Sequence, residues 1–451
     1  MLSFMSNLVC IVNDYVWGWP MVIGALATGT ILTIALGFVQ FRSFFTAWKM
    51  AIFSDSDTAE GTDISPFQAF INALGTSLGN GGLAGTATAI HLGGPGAAIW
   101  MFIFGFLCMA FRYIEVYISI GLVGQQTKGP NSIGGPMEYF KRLPGSFILP
   151  SLYALLCLFY SLASGNALQC NSVRFGVESI LSRAGFSGAL AYSTYAIAFL
   201  LFAFVVYLMV GGAARILRIS DRLVPLKVGL FVLSASIVLI YNWAALLPAL
   251  KLMILSAFTP KAVGGAALGS SIRYGIARTL NANEAGLGIA GVLYGASGSK
   301  RPVQDSIASM LSTFISTHVM TFAVALCIVS SGVWNNGMTG IDLDIAAFSS
   351  AFGWVGALVV TTLSVMFGIG VLVSYGYIAR RCWLFLTGGR FSTLFSILYC
   401  CIAFFGTIIQ VKTLFCVCDL VNAGMFVIVM YASFAFLPEL RAGLRKYRSR
   451  V

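Results

Sequence analysis

The chain has 451 residues, 58% of them hydrophobic and only 9% charged. A soluble domain carries about 25% Asp, Glu, Lys and Arg, so a water-facing surface is excluded for this much apolar material, and the missing solvent is lipid. The net charge of +12 does not indicate nucleic acid. The basic residues fall in short clusters between apolar runs and in the tail Arg441–Arg450, as expected beside anionic lipid. The ten cysteines, among them Cys108, Cys157, Cys327 and Cys401, lie mostly in apolar segments. Buried Cys behaves there as a small hydrophobe, and no disulfide framework is expected. His91 and His318 stand far apart, and Cys416 and Cys418 are too close for a CxxC pair. No metal centre, cofactor or catalytic constellation is expected, and the chain does not read as an enzyme.

A spanning helix needs about 20 predominantly apolar residues. That rule gives an all-α polytopic membrane protein with eleven spans near 16–40, 65–92, 95–123, 147–170, 188–211, 222–245, 264–296, 304–330, 351–378, 391–410 and 413–436. Met1–Asn13 lacks the basic region of a cleavable signal. With the C-terminal tail in the cytoplasm, 19 of the 27 Lys and Arg fall on the cytoplasmic side. Arg222 and Lys227 are counted there, at the start of the sixth span. Five fall on the other side, and Arg112, Arg273 and Arg278 lie within spans. The bias places the N-terminus outside in a multi-pass cell-membrane protein.

The second and seventh spans are not ordinary. The second contains Gly79-Asn80-Gly81-Gly82 and the seventh Asn281-Ala282-Asn283-Glu284-Ala285-Gly286-Leu287-Gly288. Glycine costs a helix about 1 kcal/mol relative to Ala, so both clusters predict local unwinding. Hydrocarbon forbids unwinding unless the freed backbone groups line a cavity or are buried in protein. Gly82-Leu83-Ala84-Gly85 matches Gly288-Ile289-Ala290-Gly291 at an offset of 206 residues. Each broken helix opens a set of five, and because five is odd the second set enters from the opposite side. The expected core is a 5+5 inverted repeat, a pattern that points to a transporter site at the paired breaks. Residues 1–64 form an added N-terminal span with its cytoplasmic loop. The repeats take 65–263 and 264–437, and 438–451 form the basic tail.

Half-helix N-termini at such breaks suit a carboxylate, and freed carbonyls at C-termini suit a cation. An amino acid zwitterion needs both kinds of group. The alternative for Gly79, Gly81 and Gly85 is close packing of small residues. Glu284 is expensive in lipid; it reads as a gate, a proton site or a partner for a substrate amine, or as a structural acid paired with Arg278 or Arg273. Arg112 and Glu115, three apart on a helix, read as an ion pair. Asn166, Gln169 and Asn171 form a polar patch at the end of the fourth span, facing substrate or capping the helix.

These residues resemble the alanine or glycine:cation (sodium) symporter family, a branch of the leucine-transporter-type fold. Asn283-Glu284-Ala285-Gly286-Leu287-Gly288 is similar to that family's signature in the seventh segment. Gly85-Thr86-Ala87-Thr88-Ala89-Ile90 through Gly93-Gly94-Pro95-Gly96 resembles another of its stretches. Trp17-Gly18, Gly37-Phe38-Val39-Gln40, Gly134-Gly135-Pro136-Met137, Gln169 with Asn171-Ser172, and Asp419 with Asn422 follow in order along nearly the whole chain. The sequence departs from the family where Asn80 and Gly82 replace Thr and Asn. It departs again where Gly370-Val371 replace the Ser-Thr whose hydroxyls help hold sodium, where Ser316 replaces Asp, and where Tyr274 replaces Trp.

The resemblance implies a secondary active carrier that takes up a small neutral amino acid by alternating access, with a cation as driver. The alternative is an uncoupled facilitator or channel for a small polar solute. The substrate would sit between the second and seventh spans, against Gly79, Asn80, Gly81, Gln169, Tyr274, Asn283, Glu284 and Gly286. Sodium is the expected coupling ion and a proton the alternative. The carbonyls of Gly75 and Leu78 are the cation ligands that need no particular side chain.

Overall fold

A computed structural model describes residues 2–52, 64–122, 134–186, 188, 190–258 and 266–449. Among the described residues every regular element is helical. Seven helices are each long and apolar enough to cross a bilayer, and the pair Asn7–Val16 and Trp19–Ala35, bent by 46°, makes an eighth if taken as one span. Helix length alone does not reproduce the eleven expected spans, because interruptions divide some of them. The second expected span is cut into Pro66–Ser77 and Asn80–Gly93, and the seventh into Ala266–Asn283 and Ile289–Gly295. The tenth is the 17-residue helix Ser392–Ile408. The boundary expected at 263–264 between the repeats, and Lys128, Lys261 and Arg450, lie outside the described residues. Side chains at the periphery such as Ile34, Phe199, Leu233 and Phe405 are apolar and exposed, as a surface solvated by lipid tails requires.

Three features differ from the sequence reading. The fifth and sixth expected spans are present as the apolar stretches Tyr192–Gly211 and Ile219–Tyr241, but they are joined within one helical element, Leu190–Tyr241, where a loop is expected. Arg215-Ile216-Leu217-Arg218 has no strong helix breaker, so its charge does not end the helix. A further apolar helix, Trp243–Phe258, follows. The fourth span continues as Leu149–Arg183, 35 residues long, with a π-helical turn at Ala163–Ala167. Gln169 and Asn171 therefore lie inside a helix and not at its end. Finally, Cys10 and Cys416 form a disulfide across 406 residues of sequence. No sequence spacing links two residues so far apart, and each sits in an apolar stretch that reads as core.

The helices pack in two sets. The broken helices close on Gly96–Gly121 and on Pro302–Phe314. Leu149–Arg183, Leu190–Tyr241, Val355–Thr387 and Ser392–Ile408 pack on one another as the second set. Backbones approach closely where glycines allow it. A Cβ on Gly134 would lie 2.0 Å from the Gly295 carbonyl oxygen, and one on Gly135 would lie 2.6 Å from that of Gly291. The Gly134-Gly135-Pro136 motif is thus a contact with the short half-helix Ile289–Gly295.

Candidate functional site

The first break follows from its local sequence. Pro66–Ser77 starts on a capping box formed by Ser65 and Gln68, which satisfies first-turn donors. The helix stops at Leu78 (φ −101°, ψ 69°), Gly79 is extended, and Asn80 opens the next half-helix. A Cβ on Gly79 would lie 2.7 Å from Val371 Cγ2, so the crossing with Val355–Thr387 needs glycine there. At the second break the helix Ala266–Asn283 gives way to three left-handed residues, Glu284 (φ 56°), Gly286 (φ 86°) and Gly288 (φ 77°). That conformation is uncommon for a residue with a side chain. Glu284 is held in it with its carboxylate accepting a hydrogen bond from the Tyr375 hydroxyl.

The two breaks meet. Ser77 Oγ lies 3.2 Å from the Asn283 carbonyl oxygen, and a Cβ on Gly81 would stand 3.1 Å from the Asn281 carbonyl oxygen. Interrupting a helix leaves N–H groups unpaired at one new end and carbonyls at the other, and side chains of this chain reach all four ends. Gln169 Oε1 accepts from the Asn80 backbone N–H at 3.1 Å and from Asn80 Nδ2 at 3.2 Å. Lys227 Nζ donates to the carbonyls of Gly75 at 3.0 Å and Leu78 at 2.7 Å. Arg112 donates to the Asn283 carbonyl at 2.5 Å. Glu115 Oε2 accepts from the N–H groups of Gly286 at 3.2 Å and Gly288 at 2.8 Å. Arg112 and Glu115 also pair with each other at 2.5 Å, both with side chains fully buried.

Most residues singled out in the sequence gather here. Gly79, Asn80, Gly81 and Gln169 line the first break. Asn283, Glu284 and Gly286 line the second, with Asn283 Nδ2 donating to Thr317 Oγ1 at 3.0 Å. Tyr274 stands apart, packed against Ala89, Ala97 and Met101 beneath the Arg273 guanidinium. Asn171 spends its side-chain amide on the carbonyls of Gly406, Thr407 and Ile409 and serves packing. Glu284 does not pair with either arginine proposed for it, since Arg278 binds Asp419 and Arg273 binds Asp14. Lys227, counted with the loop cations, is fully buried. The signal was present, because a lone Lys within the apolar run after Leu226 is costly in lipid unless it has a task. Tyr375 carried no comparable mark among seventeen tyrosines.

A cavity of about 500 Å³ leads toward the breaks from the side of Cys10, Asp14 and Lys412. Tyr274, His91 and Thr88 line it, and Ala84, Arg278 and Asp419 form its buried wall. Asp419 also accepts from Asn281 Nδ2 at 2.5 Å, its carbonyl accepts from the Trp17 indole at 2.9 Å, and Asn422 donates to Asn281 Oδ1 at 3.0 Å. The scattered motif residues Trp17, Asp419 and Asn422 thus converge on the helix that ends at the second break.

The chain is 31% identical over 438 residues to the sodium/alanine symporter AgcS of Methanococcus maripaludis, covering 94% of this chain and 93% of that one. It is 25% identical over 449 residues, 99% and 91% of the two chains, to the probable sodium/glutamine symporter GlnT of Bacillus subtilis. A putative sodium/proton-dependent alanine carrier protein of Bacillus subtilis, YrbD, is 26% identical over 443 residues, 94% and 88% of the two chains. The model of the sodium:alanine symporter family matches residues 2–451, and the chain belongs to that family.

Proposed function

We propose that this chain is a secondary carrier that takes up a small neutral amino acid of the alanine or glycine class across the cell membrane, by alternating access and with a cation as driver. The observation that carries the reading is the meeting of two interrupted helices, with Ser77 against Asn283 and Gly81 against Asn281. A zwitterion between them would present its carboxylate to the N-terminal end at Gly79, Asn80 and Gly81. Its amine and side chain would lie against Asn283, Glu284 and Gly286. Gln169 Oε1, now on the Asn80 N–H, stands where a carboxylate oxygen would bind. The route in runs through the cavity that Tyr274 lines, past Arg278 and Asp419.

A leucine-transporter-type core of two inverted five-helix repeats with one added N-terminal span fits the paired breaks and their 206-residue offset. The two packing sets supply bodies that rock against each other, the broken helices with Gly96–Gly121 and Pro302–Phe314 forming one of them. The cavity, Cys10 and Lys412 would face outside and the tail the cytoplasm. Family membership and the names of AgcS and GlnT support sodium as the coupling ion, and the name of YrbD adds a proton.

The test is uptake of labelled alanine and glycine by purified protein in proteoliposomes under a sodium or a proton gradient. Wild-type protein concentrates one of them, whereas mere equilibration would indicate a facilitator. Gly81→Leu, whose side chain would meet the Asn281 backbone, abolishes uptake while the protein remains monodisperse. Retained uptake would place the substrate elsewhere.

A further inference from the structure

The half-helix Pro66–Ser77 ends in the protein interior with its last carbonyls freed by the break at Leu78 and Gly79. Orphan carbonyls at a helix C-terminus carry partial negative charge and are stabilised by a cation. A cation is already there. Lys227 Nζ, fully buried, lies 3.0 Å from the Gly75 carbonyl oxygen and 2.7 Å from that of Leu78. These are the two oxygens at which a sodium ion was expected from the sequence. The ammonium also lies 5.5 Å from the centre of the Phe367 ring, within the range of a favourable cation–π contact. Among the described residues no carboxylate lies within ion-pair distance of it, so the helix end and the ring are its direct contacts, with the Glu284 carboxylate acting on it from farther away.

The surroundings are shaped for it. Gly370 faces the ammonium from the helix Val355–Thr387, and a Cβ there would lie 2.7 Å from Nζ. Any larger residue at 370 would push the lysine off the carbonyls. Gly370 and Lys227 are therefore a matched pair, the first leaving the volume that the head group of the second fills. A sodium ion sharing these carbonyls would sit a few ångströms from the ammonium, and like charges at that distance in a low-dielectric interior repel strongly.

We propose that the Lys227 ammonium is a built-in cation that replaces sodium at the end of the half-helix Pro66–Ser77, so that neither the stability of this chain nor its uptake depends on sodium, and of the two coupling ions that the relatives' names support the proton remains as the driver. The sodium ligands implied by the family do not fit at this position. The inference deepens the carrier reading and rests on it only for the uptake arm of the test. Being covalently attached, this cation holds the break together without itself crossing the membrane.

Two measurements decide the matter. Thermal unfolding of purified wild-type protein in detergent is compared in sodium chloride and in choline chloride at equal ionic strength. Uptake of labelled alanine into proteoliposomes is compared in the same two salts. A ligand that binds only the folded state raises the unfolding temperature. The expected result is therefore equal unfolding temperatures and uptake rates within about twofold. Lys227→Ala frees the two carbonyls, and its unfolding temperature should rise with sodium where that of wild type does not. Stabilisation of wild type by sodium, or a roughly tenfold fall of its uptake in choline, would overturn the proposal. If Lys227→Ala does not fold, the wild-type comparison still decides. If no amino acid is taken up in either salt, the carrier reading fails, while the unfolding measurement continues to test Lys227.

Discussion

Removing the Glu115 carboxylate should be among the most damaging single changes in this chain. Oε1 pairs with Arg112 at 2.5 Å, and Oε2 holds the N–H groups of Gly286 and Gly288. Glu115→Ala leaves Arg112 buried without its counter-charge, a change that costs about 3–5 kcal/mol in comparable sites. Two backbone donors also lose their acceptor, at about 1–3 kcal/mol each when buried. The terms share partners and will not add in full, so the expected loss is about 3–5 kcal/mol or somewhat more. Glu115→Gln keeps one oxygen for the donors and loses the charge, and it should fall between the alanine variant and wild type. Unfolding midpoints in one detergent at one scan rate give the order, with Arg112→Met and the double variant completing a cycle. A loss below about 1 kcal/mol for Glu115→Ala would mean that the pair behaves like an exposed ion pair and that the second break is held by something else.

Two further changes test separate parts of the site. Glu284→Gln replaces a charge-assisted bond from Tyr375 by a neutral one, a loss of about 1–2 kcal/mol. Uptake by this variant should fall or its pH profile change, and a wild-type profile would leave Glu284 a purely structural acid. For orientation, Lys412→Cys and Ser449→Cys place thiols at two exposed positions on opposite sides of the last span, in a background where half-buried Cys401 is replaced by Ser. An impermeant maleimide should label the first in intact cells and the second only after permeabilisation. The reverse pattern would invert the topology.

Much of the site could be read in the sequence because its signals are local. Gly79-Asn80-Gly81-Gly82 and, in the second cluster, Asn281, Asn283, Gly286 and Gly288 are poor helix formers inside apolar runs, and the structure interrupts both. Arg112 and Glu115 declared themselves by a spacing of three. What escaped is what only the packing brings together. Cys10 and Cys416 are 406 residues apart, and neither spacing nor composition links them. Lys227 lies five residues past Arg222 at the start of the sixth expected span, so by sequence it reads as a loop charge, although burial makes it a different kind of residue. The helix Leu190–Tyr241 runs through Arg215 and Arg218, because charge marks the edge of a membrane without breaking hydrogen bonds. Only the resemblance puts Tyr274 in the pocket, and its side chain packs against Ala89, Ala97 and Met101 and lines the cavity that leads toward the breaks.

The four ends created by the two breaks differ in one respect that selects a place for an anion. Lys227 sits on the carbonyl end of Pro66–Ser77, Arg112 on that of Ala266–Asn283, and Glu115 on the N–H end of Ile289–Gly295. Each brings a full charge of the sign that the helix end favours. The N–H end at Asn80 has only the neutral amide oxygen of Gln169. A carboxylate gains most at the end where the charge is missing, because charge-assisted bonds are about twice as strong as neutral ones. Gln169→Glu supplies that charge from within. The new carboxylate would also face the Ser164 carbonyl that Nε2 now bonds at 3.0 Å, so no large gain in stability is expected and the readout must be substrate. Alanine should raise the unfolding temperature of wild type and of Gln169→Ala, but not of Gln169→Glu. Uptake by the glutamate variant should fall about tenfold or more, equivalent to about 1.4 kcal/mol of competition. A glutamate variant that binds and carries alanine as wild type does would show that the carboxylate docks at some other end.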